Sequence, residues 1–111
     1  MVLFTVSYRK EIEMNQTTKQ RPPMAGFHHF GATVTDVEAS ADWYQRVLGL
    51  ERIPVKLPHY DNEDTGYTVL LTDLNCGIVI GVHHNTRNDG QPFVEARTGL
   101  DHISISVPSR P

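Results

Sequence analysis

The stretch HFGATVTDVEASADWYQRVLGLE (29–51) decides how the rest of the chain is interpreted, because it contains a strand, a turn and a helix in succession. Its beginning, within FHHFGATV (27–34), alternates apolar residues with small or polar ones, which is typical of a strand. Thr35 and Glu38 have capping-box spacing, and apolar residues then recur at helical intervals. Gly49 ends the predicted helix, because glycine readily adopts the left-handed backbone conformation that other residues resist.

After this stretch, the pattern predicts three further strands. The second strand, Leu50 to Leu57, contains Pro54, so we expect it at a sheet edge or with a bulge. Residues 59–66 are polar and predict a loop. Residues 67–72 and 77–83 then form a predicted hairpin around a turn that ends in glycine. The order βαβββ indicates an α+β fold.

A short internal repeat relates the first strand to the end of the chain. FHHFGATV (27–34) aligns with LDHISISV (100–107), with a histidine third and a valine eighth in each. We therefore expect a fifth strand at 100–107, which begins a second copy of the unit. Alternate residues of a strand face opposite sides, so each strand has an apolar core face and a small, polar face. The core faces carry Phe30, Ala32 and Val34, and then Ile103, Ile105 and Val107.

The polar faces of the two strands are each headed by a histidine, His29 in the first and His102 in the second. A face that packs in a two-sided core would need bulky side chains, so the small residues after each histidine predict the floor of a cavity. The predicted cavity residues are Gly31, Thr33, Gly81, Ser104 and Ser106, with Arg97 as an additional group that can hold an anionic substrate.

Composition excludes several classes of function. The formal net charge of -3 argues against nucleic acid or anionic lipid as the main partner. No apolar run is long enough for a membrane span. The lone Cys76 cannot form an internal disulfide, which fits a cytoplasmic protein. With 111 residues the chain has room for one small core. We divide the chain into a disordered leader (1–26), a βαβββ module (27–98) and the start of a second module (99–111).

The residues quoted above resemble the vicinal oxygen chelate superfamily, which includes glyoxalase I, bleomycin-resistance and fosfomycin-resistance proteins and extradiol dioxygenases. Its members typically open with a histidine strand, a turn with Asp, and a helix that carries a Tyr and ends in Leu-Gly, as 29–51 does. TGLDHISISV (98–107) is similar to the strand that opens their second module. The resemblance covers 27–107, implies a half-open barrel built from paired modules, and leads us to expect that this chain is C-terminally truncated.

The resemblance also implies a metal site. It assigns His29 and His102 as ligands of a divalent ion such as Zn, Fe, Ni or Mn, to which a small molecule would bring two vicinal oxygens. The family places a carboxylate ligand late in each module, and the first of these positions falls at Gly81, which cannot ligate. His83, two residues further on the same strand face, is an alternative ligand. The second carboxylate would lie past Pro111.

Three functions stay open at this point. The first is metal-dependent chemistry of lyase, isomerase or dioxygenase type on a small molecule with vicinal oxygens. The second is metal-free binding of a small molecule or drug, as in bleomycin-resistance relatives. The third is an inactive truncated chain that aggregates or forms a homodimer, because its last strand would have an unpaired edge. In the plainest interpretation the strand histidines only donate and accept ordinary hydrogen bonds, and His28, His59 and His84 are surface residues.

Overall fold

A computed structural model of the chain describes residues 9–14, 21–59 and 62–109, without the side chains of 62–64. Four strands and one long helix follow one another in the order β1, α1, β2, β3 and β4. The strands form one sheet in the order β1-β4-β3-β2, in which β1 runs parallel to β4 and the other neighbours are antiparallel. The elements span Phe30–Thr33 (β1), Val37–Leu48 (α1), Glu51–His59 (β2), Asn62–Asp73 (β3) and Ile78–Asn85 (β4). The α+β class and the βαβββ order are therefore confirmed.

Local sequence explains both ends of helix α1. Asp36 is its N-cap, and its carboxylate accepts a hydrogen bond from the backbone N–H of Ala39 at 3.0 Å. Gly49 ends the helix with a φ of 67°, a left-handed conformation that glycine adopts without a steric penalty. Val37 and Ala41, one helical turn apart, are buried against the sheet.

The core lies between helix α1 and one face of the sheet. Val69 and Leu71 on β3 and Ile80 and Val82 on β4 supply its largest fully buried side chains. These residues alternate along each strand, so their neighbours Gly81 and His83 face the opposite side of the sheet. Phe30 and Val34 pack against the core cluster, as the alternation along the first strand predicted.

An ion pair connects helix α1 to strand β2. The two guanidinium N–H groups of Arg52 donate to both carboxylate oxygens of Glu38, one of them at 2.9 Å. This pairing lowers the pKa of Glu38, first through the hydrogen bonds and then through the positive charge. Glu38 thus contacts strand β2, and the predicted capping box is replaced by the single cap of Asp36.

Strand β2 lies at a sheet edge, and its register with β3 shifts between Arg52 and Lys56, around Pro54. Both outcomes expected for a proline in this strand are therefore present, because proline cannot donate to a ladder. The polar loop predicted at 59–66 was wrong over 62–66, which belong to β3. Residues 60 and 61 lie outside the described residues.

The predicted fifth strand at 100–107 was wrong for this chain. None of its residues is in a strand, and Ile103, Ile105 and Val107 are exposed instead of forming a core face. A strand exists only when its backbone groups pair with a neighbour, and in the described part of the chain no strand pairs with this segment. The predicted leader also differs in one part, because residues 9–14 are helical and carry an ion pair between Arg9 and Glu13. Residues 1–8 and 15–20 of that leader lie outside the described residues.

Within the described ranges, no helix combines the length and the apolar character needed to cross a membrane.

Truncation of Leu71 tests the position of the core. Leu71→Ala removes a side chain with no exposed surface, so we expect the free energy of unfolding to fall by about 2–5 kcal/mol. The matched control, Leu74→Ala, alters an exposed residue of the β3–β4 turn and is expected to change it by less than about 0.5 kcal/mol. Urea denaturation of both variants measures the difference, and equal effects would contradict this placement of the core.

Candidate functional site

An open cavity of about 690 Å³ lies at the end of the sheet where β1 and β4 begin. Its walls come from residues 27–30, residues 76–80, Leu100 and residues 102–106. Apolar side chains such as Phe27, Ile78 and Ile103 line much of it. The cavity therefore brings together residues from both copies of the sequence repeat, although the second copy is not a strand.

His29 and His102 both line this cavity, and both are exposed. His29 lies just before β1, and its Nδ1 is 2.6 Å from Nδ1 of His28. One of the two nitrogens must donate and the other accept, because two lone pairs at this distance would repel. The two adjacent imidazoles therefore restrain each other at the mouth of the cavity.

His102 is restrained differently, by its sequence neighbour. Its Nδ1 lies 2.6 Å from a carboxylate oxygen of Asp101, and both side chains are exposed. A carboxylate acceptor holds the imidazole proton on Nδ1, which leaves the lone pair of Nε2 for another partner. In chemical terms His102 is an oriented hydrogen-bond acceptor on the cavity wall.

The described residues do not complete the metal site that the resemblance implies. No three His, Cys, Asp or Glu side chains in the described part of the chain are placed to hold a metal ion. His29 and His102 supply at most two donors, and Gly81 supplies none where a carboxylate would be needed. The donor set therefore does not fit a closed metal centre, and the assignment of these two histidines as ligands stays a prediction.

The other predicted cavity residues divide into two groups. Ser104 and Ser106 line the cavity together with the two histidines. Gly31, Thr33 and Gly81 lie on β1 and β4 but are not among its lining residues. Arg97 does not line it either, and its guanidinium donates to the side-chain oxygen of Gln91 at 2.9 Å.

A second polar cluster occupies the sheet face opposite the helix. The imidazole of His83 lies over Gly31 and Gly81, where there is space because neither has a side chain. Its Nδ1 is 2.7 Å from the hydroxyl of Thr68 and 2.9 Å from Nε2 of His59. Burial lowers the pKa of His83, and the neighbouring imidazoles of His59 and His29 lower it further, which favours the neutral form of the ring.

Sequence reasoning missed His59 as a member of this cluster. The polar sequence around His59 predicted a solvated loop, whereas the residue ends β2 and its ring meets His83 across the sheet. The contact depends on the irregular register at the end of β2, where Pro58 pairs with Tyr67 and His59 with Asn62. No local pattern in the sequence encodes that shift. Phe27 and His28 were also missed as cavity residues, and the apolar-histidine run at 27–30 was the signal that could have indicated them.

The fold and the site together define a class. A βαβββ sheet that carries one helix on one face and histidines on the other is a glyoxalase-like module. A family model described as "Glyoxalase/Bleomycin resistance protein/Dioxygenase superfamily" matches residues 26–109. The chain belongs to this superfamily.

One solved structure gives a more detailed comparison. The glyoxylase/bleomycin resistance protein/dioxygenase domain from Frankia sp. EAN1pec is 29% identical in sequence and superposes with a TM-score of 0.66. The match covers 78% of this chain and 64% of the Frankia chain, so this chain spans less than two thirds of that relative's length. A search of curated proteins finds no match.

Gly31→Ala tests whether glycine positions His83. A Cβ at this position would overlap Nε2 of His83, so the ring must move away from Thr68 and His59. We expect the NMR signals of the His83 imidazole to shift and the free energy of unfolding to fall by about 1 kcal/mol, the worth of a typical hydrogen bond.

Gly99→Ala is the matched control for this substitution, because a Cβ at Gly99 would meet nothing within 4 Å. We expect the His83 signals to be unchanged in it. If Gly31→Ala also leaves them unchanged, the ring does not depend on the glycine.

Proposed function

We propose that this domain binds a small molecule with an apolar body and a polar, oxygen-containing end in the cavity at the start of β1 and β4. The observation that carries the proposal is that His29 and His102 both line one otherwise largely apolar cavity. A volume of about 690 Å³ lies in the range of ligand pockets, which combine apolar walls with a few polar anchors. The family supports small-molecule binding as the general function.

The residues that line the cavity would contribute to ligand binding in different ways. Phe27, Ile78 and Ile103 remove apolar ligand surface from water, which supplies most of the affinity. Nε2 of His102 accepts a hydrogen bond from a ligand hydroxyl, because Asp101 holds the proton on the other nitrogen. The hydroxyls of Ser104 and Ser106 both donate and accept, so they suit a neighbouring oxygen of the same ligand.

Catechol is a suitable probe, because it carries an aromatic ring and two vicinal hydroxyls. We expect it to bind the full chain in the presence of EDTA, and His29→Asn and His102→Asn each to weaken binding about fivefold, the effect of one hydrogen bond of about 1 kcal/mol. His84→Asn is the matched control, since His84 lies outside the cavity with its ring against Tyr67. NMR titration measures affinity and position together.

Two outcomes would contradict this assignment. The first is equal catechol affinity in the wild type and both cavity variants. The second is chemical-shift changes that avoid residues 27–30 and 100–106.

Divalent-metal-dependent chemistry of lyase, isomerase or dioxygenase type is the second candidate function. The observation that favours it is that His29 and His102, which come from the two copies of the sequence repeat, line the same cavity. The catechol titration separates the candidates when it is repeated without EDTA and with added Zn²⁺ or Mn²⁺. Binding that appears only with the metal, and only when both histidines are present, supports the second candidate.

We also propose that two copies of the chain associate. Leu100, Ile103 and Val107 are exposed in a segment that no strand accompanies within the described residues. A second copy offers both an apolar surface and a strand edge that can pair with this segment.

Light scattering coupled to size exclusion tests this association. We expect a mass about twice the 12.5 kDa of one chain, and a shift toward the monomer in Ile103→Lys. Leu74→Lys, on the exposed β3–β4 turn, is the control and should leave the mass unchanged. A monomeric wild type at high micromolar concentration would refute the association.

A further inference from the structure

One wall of the cavity is formed by residues 100–107, a segment that we name the strap. Leu100 and residues 102–106 line the cavity, and every residue of the strap is exposed. Among the described residues, no backbone hydrogen bond joins the strap to β1, to β4 or to any other part of the chain. The polar contact between His102 and Asp101 lies within the strap itself. Few interactions therefore hold the strap in its position.

The opposite wall is fixed by the sheet. Residues 78–80 belong to β4, which pairs with β1 on one side and with β3 on the other. Ile80 has no exposed surface, whereas Ile103 and Ile105 on the strap are 43% and 39% exposed. Segments without backbone pairing and with few buried apolar contacts open at a low free energy, while core strands open only with most of the fold. The cavity thus lies between a rigid wall and a weakly held one.

The chain offers a hinge directly before the strap. A turn holds the chain as far as Arg97, whose backbone N–H donates to the carbonyl of Val94 at 3.1 Å. Gly99 follows two residues later, and a Cβ at this position would meet nothing within 4 Å. Glycine has the widest choice of backbone angles, and the space around Gly99 leaves such rotations unobstructed. Rotation at 98–99 therefore moves the strap without disturbing the turn.

We propose that the strap closes over the cavity when a ligand is bound, with Gly99 as its hinge and Ile103 and Ile105 as its apolar contacts. The inference rests on the function proposed above, because closure requires a ligand in this cavity. A molecule with an apolar body contacts both walls at once. Closure then removes the side chains of Ile103 and Ile105 from water together with apolar surface of the ligand. Ligand and strap therefore stabilise each other's position, as a lid and its substrate do.

Closure and the association of two copies use the same segment. Ile103 is exposed for a second copy only while the strap is open, so a bound ligand and a second copy oppose each other. The test of closure is therefore made on protein that has been diluted until light scattering gives the mass of one chain.

Amide hydrogen exchange of the full chain in EDTA, with and without catechol, tests the closure. Without catechol we expect the amides of 100–107 to exchange at rates close to those of an unstructured peptide. With catechol at about 100 times its Kd, we expect their exchange to slow by at least about tenfold, within the limit of about a hundredfold that linkage sets. The amides of 86–91, in a loop that does not line the cavity, are the internal control and should be unchanged.

A substitution on the strap separates closure from ordinary contact with the ligand. We expect Ile105→Ser to weaken catechol binding about fivefold and to keep the strap amides in fast exchange even at equal saturation. Val107→Ser is the matched control, because Val107 is exposed on the same strap but does not line the cavity. It should retain both the affinity and the slow exchange.

The outcomes distinguish closure from binding itself. Catechol-induced NMR shifts at 27–30 with unchanged exchange at 100–107 would overturn the closure and leave the proposed function intact. Slow exchange of the strap in the diluted chain without catechol would also overturn it, because other contacts would then hold the segment. Absence of any catechol binding would refute the proposed function and the closure with it.

Discussion

The pairing of β4 with strands on both sides is the constraint on which the rest of the structure depends. Alternation along β4 sends Ile80 and Val82 into the core beneath the helix, where neither has exposed surface. It sends Gly81 and His83 to the other face. Because Gly31 pairs with Gly81 in the parallel register, two residues without side chains lie next to each other. One register thus creates both the core and the space that His83 occupies, and a slip of one residue would exchange the two faces.

The parts of the fold that the sequence predicted are those whose signals are local. The helix was recognisable because its cap, its apolar spacing and its terminal glycine all lie within 29–51. Pro54 led to the expectation that β2 lies at an edge or carries a bulge, and the strand has both features. The capping role predicted for Glu38 did not anticipate its contact with Arg52. This partner lies 14 residues away in the sequence, and a contact between a helix and a strand has no local sequence pattern.

The parts of the fold that could not be predicted depend on contacts between residues that lie far apart in the sequence. The pattern LDHISISV (100–107) has every local property of a strand, yet a strand also needs a neighbouring backbone, and no described strand pairs with it. Its histidine nevertheless reaches the cavity that contains His29, so the repeat predicted proximity without predicting the conformation. His59 shows the same limit, because the irregular register of β2 brings it to His83 across a distance of 24 residues.

The two histidine groups differ in the ionisable groups that surround them. His102 is paired with the carboxylate of Asp101 in an exposed position, which suits a neutral ligand that donates a hydrogen bond. At His83 the neighbouring ionisable groups that act on it are other imidazoles, His59 and His29, and the contact at its Nδ1 is the hydroxyl of Thr68. Imidazoles that lie close together oppose one another's protonation, and burial of the His83 ring lowers its pKa in the same direction. The sheet face opposite the helix therefore favours uncharged imidazole, whereas a ligand in the cavity would meet a histidine that is already paired with a carboxylate.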